Sequence, residues 1–379
     1  MYTLGNKRVA TMHNAAVSSQ LLPAQETAHA NCPLFLLADD LTGACDAAAP
    51  FLHAGLQARV WLGAAPEFPA TEAVQAFNTA SRALGPEQAA EILLRAIAAL
   101  PTAPRRVFKK VDSALRGPIA SEVLAAHRAL GTRAILFAPA FPATGRTVRA
   151  GILHLADAAG RHEQESLLQL FPPSLHAEAA RITNPDQLAS ALAAGKSLLL
   201  CDAETDQDLS ALAKAAEALP GLLYAGSAGL AAAIASLSSQ QTAYAPFPSV
   251  QRALVIAGTT HPVTALQLER LENSLHTQSS PAVHVLRIPC EPGDEAPIRD
   301  TLASFDPQTL LLTGGETALF VARALGAHSI LLRGEVAPGI PWGIAQGGGL
   351  QGRIVITKSG GFGAPDLLQQ LFAAPTGSA

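Results

Sequence analysis

The sequence predicts an α/β protein of two α/β domains, each built on a largely parallel sheet. Three observations carry this expectation. From Pro33 onward, short apolar runs alternate with longer alanine- and leucine-rich segments of helical period. The rhythm stops at Ser236 to Ser249 (SLSSQQTAYAPFPS), where serine, glutamine and two prolines leave no consistent apolar face. It then resumes at Ala253 to Ala257 (ALVIA). The predicted organisation is an N-terminal extension over 1–32 without regular order, a first domain over 33–236, a linker over 237–249 and a second domain over 250–379.

Pro33 to Ala38 (PLFLLA) has the length of a buried parallel strand, and the alanines of Ala44 to Ala54 favour the helix after it. Further strands are predicted at 58–62, 73–77, 106–111, 133–138, 197–201 and 222–225, with helices near 86–100, 117–130, 185–194 and 207–219. Gly145 to Arg181 breaks the alternation and suggests antiparallel structure or a lid. In the second half, strands are predicted at 253–257, 283–288, 309–313 and 353–357, with a helix from Pro262 to about Asn273.

A chain of 379 residues, 49% hydrophobic and 15% charged, can bury substantial cores. A net charge of -4 with few aromatics argues against a nucleic-acid groove, so any anionic ligand must be met by local cations and backbone amides. No apolar run approaches membrane-spanning length, and the N-terminus lacks a compact apolar signal core, which predicts a cytoplasmic protein. Cys32, Cys45, Cys201 and Cys290 are too scattered to form a metal-ligand pattern and read as reduced cysteines, with a thiol role left open for Cys45. An alanine-rich, apolar chain of this kind permits a homodimer without requiring one.

The chain is organised around LADDLTGA, residues 37–44, where a strand ends in two adjacent carboxylates and enters a helix. That arrangement places Asp39 and Asp40 at the carboxyl edge of an open sheet, where such folds bind ligands. Burying both without a partner would be costly, so at least one must meet solvent, a cation or a polar ligand. The plainer alternative is that one of them only caps the helix. A second cluster, FKKVDSALRG at 108–117, brings Lys109, Lys110, Asp112, Ser113 and Arg116 to another strand end and suits a carboxylate or phosphate. A third, FAPAFPATGRT at 137–147, adds Arg146 as a further partner for an acidic group.

Glycine loops mark the second domain. IAGTTHPVT (256–264) sets Gly258, Thr259 and Thr260 before a proline-started helix, whose backbone amides can bind phosphate. LLTGGETA (311–318) carries Gly314, Gly315, Glu316 and Thr317 between a strand and a helix. PWGIAQGGGL (341–350) reads as a glycine-rich turn, and TKSGGFGAPD (357–366) joins a strand to Lys358, Ser359, Gly360 and Gly361. No Walker A pattern occurs, so the loops suggest a nucleotide polyphosphate site built from amides. His261 reads as a helix-start residue, Lys358 as a phosphate contact, and Glu316 as either a Mg²⁺ or ribose contact or a first-turn acid. No GxGxxG follows a strand with the required acidic residue, which argues against a dinucleotide oxidoreductase.

Taken in order, ADDLTGA, KKVDSALRG, APAFPATGRT, AGTTHP, TGGETA and TKSGGFGAPD resemble the four-carbon acid sugar kinases from about Pro33 to Leu371. The resemblance implies a sugar-acid-binding first domain, an ATP-binding second domain, an active-site cleft between them, Mg²⁺, and phosphorylation of the terminal hydroxyl of D-threonate, D-erythronate or a 3-oxo-tetronate. It would place Asp39, Asp40, Lys109, Asp112 and Arg116 at the acid, with Asp39 or Asp40 orienting or deprotonating the hydroxyl. Gly258, Thr260, Gly314, Gly315, Glu316, Lys358, Gly360 and Gly361 would line the nucleotide site. The competing expectation is a non-catalytic sensor of a sugar acid or nucleotide that keeps the same fold.

Overall fold

The computed structural model describes residues 34–64, 71–101, 106–156, 162–275, 282–289 and 295–372; the extension expected over 1–32, Cys32 and Cys290 lie outside them. Strand β1 (Leu34–Ala38) leads into α1 (Leu41–Ala48), which tightens into a 3-10 turn at Ala49–Leu52. Then follow β2 (Ala58–Trp61), β3 (Val74–Asn78), α2 (Pro86–Ala99), β4 (Arg106–Lys110), α3 (Ile119–Leu130) and β5 (Ala134–Ala138). The predicted break is an antiparallel sheet of β6 (Arg146–Arg149), β7 (Ile152–Ala156) and β8 (His162–Ser166). Alternation returns with β9 (Ala179–Ile182), α4 (Gln187–Ala193), β10 (Leu198–Cys201), α5 (Asp206–Glu217), β11 (Leu222–Gly226) and α6 (Ala228–Ala235).

After a stretch without helix or strand come β12 (Arg252–Ala257), α7 (Pro262–Leu275), β13 (Ala282–Arg287), α8 (Glu295–Phe305), β14 (Thr309–Thr313) and α9 (Gly315–Ala324). The chain closes with β15 (Ser329–Ala337), β16 (Ile340–Gln346), β17 (Ile354–Lys358) and α10 (Leu367–Leu371). Local signals set several boundaries. Pro86 opens α2, Gly131 ends α3 in the left-handed conformation at φ 60°, and Thr205 with Asp208 forms a capping box on α5.

One sheet of 14 strands runs in the order β13-β12-β14-β17-β16-β15-β2-β3-β1-β4-β11-β5-β10-β9. Eight strands from β2 to β9 are mutually parallel, as are the four from β13 to β17. Between these sets lies the β15/β16 hairpin, whose three junctions with β17, with itself and with β2 are all antiparallel. An odd number of reversals makes the two parallel sets run in opposite directions. Register shifts in β15 between Leu332 and Gly334 and between Glu335 and Ala337 are bulges of the sort that bend a strand.

Strands buried on both faces read as continuous apolar runs, which is why β1, β5, β10 and β14 were legible. The hairpin was not. The stretch 341–350 was expected to be a glycine-rich turn, but 341–346 is the body of β16, and the turn is confined to 347–350. Helices α6 and α8 were also missed, α6 because its apolar residues surround the whole helix and leave no period. Phe137, fully buried, meets Phe171 edge to face at 5.2 Å. Phe137→Ala should lower the unfolding free energy by about 3–5 kcal/mol, visible as an earlier urea midpoint at unchanged slope.

Candidate active site

Asp39 follows β1, and Asp40 is the N-cap of α1, with extended backbone at φ -143°. One Asp40 oxygen accepts from Gly43 N at 2.8 Å and the other from Thr42 Oγ1 at 2.8 Å. The cation that the paired carboxylates demand is Arg82, from the loop after β3. Its Nε donates to Asp39 Oδ2 at 2.8 Å, Nη2 to Asp39 Oδ1 at 2.9 Å, and Nη1 to Asp40 Oδ2 at 2.6 Å. Asp112 Oδ1 lies 3.5 Å away on the same fork. Burial works against the Arg82 cation, but Asp40, Asp112 and Asp39 outweigh it and hold its pKa well above the ordinary value. Asp40 is therefore both cap and site carboxylate, so the two readings of the motif are not exclusive.

Sequence reasoning missed Arg82, although FNTASR at 77–82 has the same form as the other clusters, a buried strand running into polar residues. Asn78, at the end of β3, and Ala80 of this loop also line the cavity.

The second cluster is only partly a cavity wall. Consecutive strand residues point to opposite faces, and Lys109 is fully buried, 3.2 Å from Glu122 on α3 and donating to the Lys110 carbonyl at 2.8 Å. Glu122 also accepts from Ser81 Oγ at 2.6 Å. This corrects the expectation that Lys109 lines the substrate site; it supports the Arg82 loop from beneath. Asp112 and Ser113 are likewise buried and do not line the cavity. Asp112 instead clamps Arg116, accepting from Nε at 2.7 Å and Nη2 at 2.9 Å, and Arg116 does line the cavity. Burial tends to raise the Asp112 pKa, but Arg82, Arg116 and Lys110 hold it far below the usual carboxylate range.

Arg146 opens β6 and faces Leu155 of β7, and both line the cavity. The Arg146 guanidinium sits 4.6 Å from the centre of the Phe362 ring, a cation–π contact that ties the small sheet to the loop after β17.

The opposite wall is made by loops at the carboxyl ends of β12, β14 and β17. Gly258, Thr259, Thr260 and His261, then Gly314, Gly315, Glu316 and Thr317, then Ser359, Gly360 and Gly361 all line a cavity of about 620 Å³. His261 takes the helix-start role expected of it, its Nδ1 accepting from Val263 N at 3.3 Å. Helix α9 begins without a side-chain cap. A Cβ built on Gly315 would stand 2.2 Å from Asp40 Oδ2, so only glycine lets the helix start approach that carboxylate. Thr42 and Ser359 hydroxyls meet at 3.2 Å across the same junction.

Lys358 departs from expectation. It is fully buried, and its ammonium donates to Thr264 Oγ1 at 3.1 Å and to the carbonyls of Ser359, Gly360 and Phe362 at 3.1, 3.2 and 3.2 Å. Burial pushes its pKa down to about 7. It shapes the SGGF loop from behind rather than lining the cavity. The glycines of 347–349 lie away from the cavity as well. Cys45 is buried and its thiol is pushed up to about 12, chiefly by burial, which keeps it protonated. Among the described residues no helix is long and apolar enough to cross a membrane.

Residues 34–174 and 167–234 match the sugar-binding N-terminal domain, and 296–368 match the nucleotide-binding C-terminal domain. A D-threonate kinase of Bordetella bronchiseptica is 31% identical, with 88% of this chain and 95% of the relative covered. A D-threonate kinase of Cupriavidus necator is also 31% identical, over 90% of this chain and 98% of the relative. A 3-oxo-tetronate kinase of the same species is 24% identical, over 88% and 95%. Among solved structures, a Haemophilus influenzae protein superposes with a TM-score of 0.65 at 21% identity, covering 89% of this chain and 98% of its own, which bears on fold alone. With both domain models matched and kinases among its relatives, the protein is a phosphotransferase acting on an alcohol group. The chain belongs to the four-carbon acid sugar kinase family.

The Asp112 clamp predicts a pH dependence. Its pKa is depressed on folding, so its stabilisation is present above the unfolded carboxylate value of about 3.9 and fades as pH falls below it. Thermal unfolding midpoints measured from pH 6 downward should fall steeply below about pH 4. Asp112→Asn should be less stable at neutral pH and show a shallower acid slope.

Proposed function

We propose that this chain transfers the γ-phosphoryl group of ATP to the terminal hydroxyl of a four-carbon sugar acid. The observation that carries this reading is the pairing of two unlike walls around one cavity. One wall holds Asp39, Asp40, Arg82, Arg116 and Arg146; the other holds glycine loops and the uncapped start of α9. Arginines suit a carboxylate by charge-assisted bonds, and clustered backbone amides suit phosphates. The division into a sugar-acid half over 33–236 and a nucleotide half over 250–379 is part of the proposal.

Phosphoryl transfer asks a protein for positioning and charge neutralisation more than for covalent chemistry. Asp40 is our choice of base, because it faces the α9 start while Asp39 is held bidentate by Arg82. The acid's hydroxyl oxygen bonds to the terminal phosphorus, the bond to the ADP oxygen breaks, and the hydroxyl proton passes to Asp40. Gly258, Thr260, Gly314, Gly315, Thr317, Ser359, Gly360 and Gly361 provide the amides and hydroxyls for the phosphates. Among the described residues no cluster of three His, Cys, Asp or Glu could hold a metal by itself. Mg²⁺ commonly enters such sites with the nucleotide, needing only one or two protein carboxylates, and Asp39, Asp40 and Glu316 are those on the cavity wall. Its chemistry there would be to neutralise charge on the phosphates. Chemistry dependent on ATP fits a cytoplasmic protein.

ADP release with Mg²⁺ and ATP should be measured across D- and L-threonate, D- and L-erythronate, glycerate and 3-oxo-tetronates. At least one four-carbon acid should stimulate it strongly; ATP binding with silence across the panel would favour the sensor instead. Asn at position 40 can still accept the Gly43 amide, so Asp40→Asn should keep a melting temperature close to that of the unaltered chain. Its turnover should fall by about 10²–10⁴-fold; a collapse in melting temperature would assign Asp40 to structure.

A further inference from the structure

Asn78 is the last residue of β3, paired with Ala38 at the end of β1, and it lies on the cavity wall. Only 1% of it is exposed. Its Oδ1 accepts from Ala80 N at 2.9 Å, which settles the orientation of the amide, since a flipped group would set one N–H against another. Ala80 is held there at φ 51°, a left-handed conformation uncommon for a residue with a side chain. With Oδ1 so used, Nδ2 is turned away from the turn, and among the described residues this buried donor has no hydrogen-bond partner.

Buried donors without partners are rare in folded proteins, and each calls for a reason. The neighbouring acceptors are already taken: Asp39 by Arg82, and Asp40 by Arg82, Thr42 and Gly43. Thr79 and Ser81, on either side, are bonded to the Ala38 carbonyl and to Glu122. Asn78 itself lies on the cavity wall, where a bound molecule could bring the acceptor that this amide lacks. We infer that Asn78 is a substrate-positioning residue whose Nδ2 donates a hydrogen bond to an oxygen of the four-carbon acid. This rests on the kinase reading above and deepens it on the acid side, because the glycine loops proposed for the nucleotide come from other strands. A neutral donor beside a carboxylate pair binds a substrate oxygen without adding charge, and it rejects an analogue that lacks that oxygen.

Two variants remove the donor while keeping an acceptor for the Ala80 amide: Asn78→Asp, which puts an anion in its place, and Asn78→Ser, which is too short to reach the ligand. With the acid that the unaltered chain phosphorylates, both should raise KM for the acid tenfold or more while KM for ATP moves less than twofold. A merely structural role would shift both constants together or lower the melting temperature. An acid KM within twofold of the unaltered chain in either folded variant overturns the inference and leaves the kinase reading standing. Loss of folding in both variants also overturns it, assigning Asn78 to the turn alone. Silence of the unaltered chain across the acid panel overturns the kinase reading, and this inference with it.

Discussion

The geometry of the site depends on a single guanidinium. Arg82 reaches Asp39, Asp40 and Asp112, which come from two different strand ends, and so fixes the β1–α1 and β4–α3 junctions to the loop after β3. Three carboxylates converging in a buried place would repel one another and shift toward the neutral form. A cation with five N–H donors in a planar fork can satisfy them where a lysine could not. Removing the cation would leave three buried carboxylates uncompensated, a loss that typically costs about 3–5 kcal/mol, whereas neutralising Asp40 alone leaves Arg82 paired with Asp39 and close to Asp112. The Arg82 loop is itself braced from below by Lys109, Glu122 and Ser81.

That bracing explains which residue types could be placed from sequence and which could not. Motifs at strand ends were legible because a buried parallel strand is an unbroken apolar run, and polar residues after it must sit at the carboxyl edge of the sheet. Asp39, Asp40, Arg116, Arg146 and the loops at 258–261, 314–317 and 359–361 all reach the cavity for this reason. Sequence does not say which way a lysine at the last position of a strand points. Lys358 occupies such a position in β17 and Lys109 the one before it in β4, and both turn inward to a counter-charge or to carbonyls. Arg82 went unseen because it stands four residues beyond the end of β3, as the one charged residue between β3 and α2, with no second charge to mark a cluster.

Lys358 shows how a buried charge can serve a site without lining it. Its ammonium gathers the carbonyls of Ser359, Gly360 and Phe362 on one side of the loop. Drawing carbonyls to the back of a glycine-rich turn favours amides on its front, the polarity an anion requires. Phe362 then lies under Arg146 at 4.6 Å, so the same loop also supports a cation on the opposite wall.

The two walls belong to parallel strand sets that run in opposite directions, and in a flat sheet their carboxyl edges would face away from each other. They nevertheless share one cavity, so the sheet has to turn between β17 and β2, where among the described residues β15 and β16 are the intervening strands. The register shifts of β15 lie in this stretch, and bulges are the kind of irregularity that bends a strand. The tight contact of Gly343 with the Leu331 carbonyl, 2.5 Å from where a Cβ would sit, lets the hairpin close on itself. The residues that decide whether Asp40 meets the start of α9 are therefore partly in a hairpin that contributes nothing to the cavity lining. A sequence pattern locates the strand ends; it does not reveal that the hairpin between them turns two opposed edges toward each other.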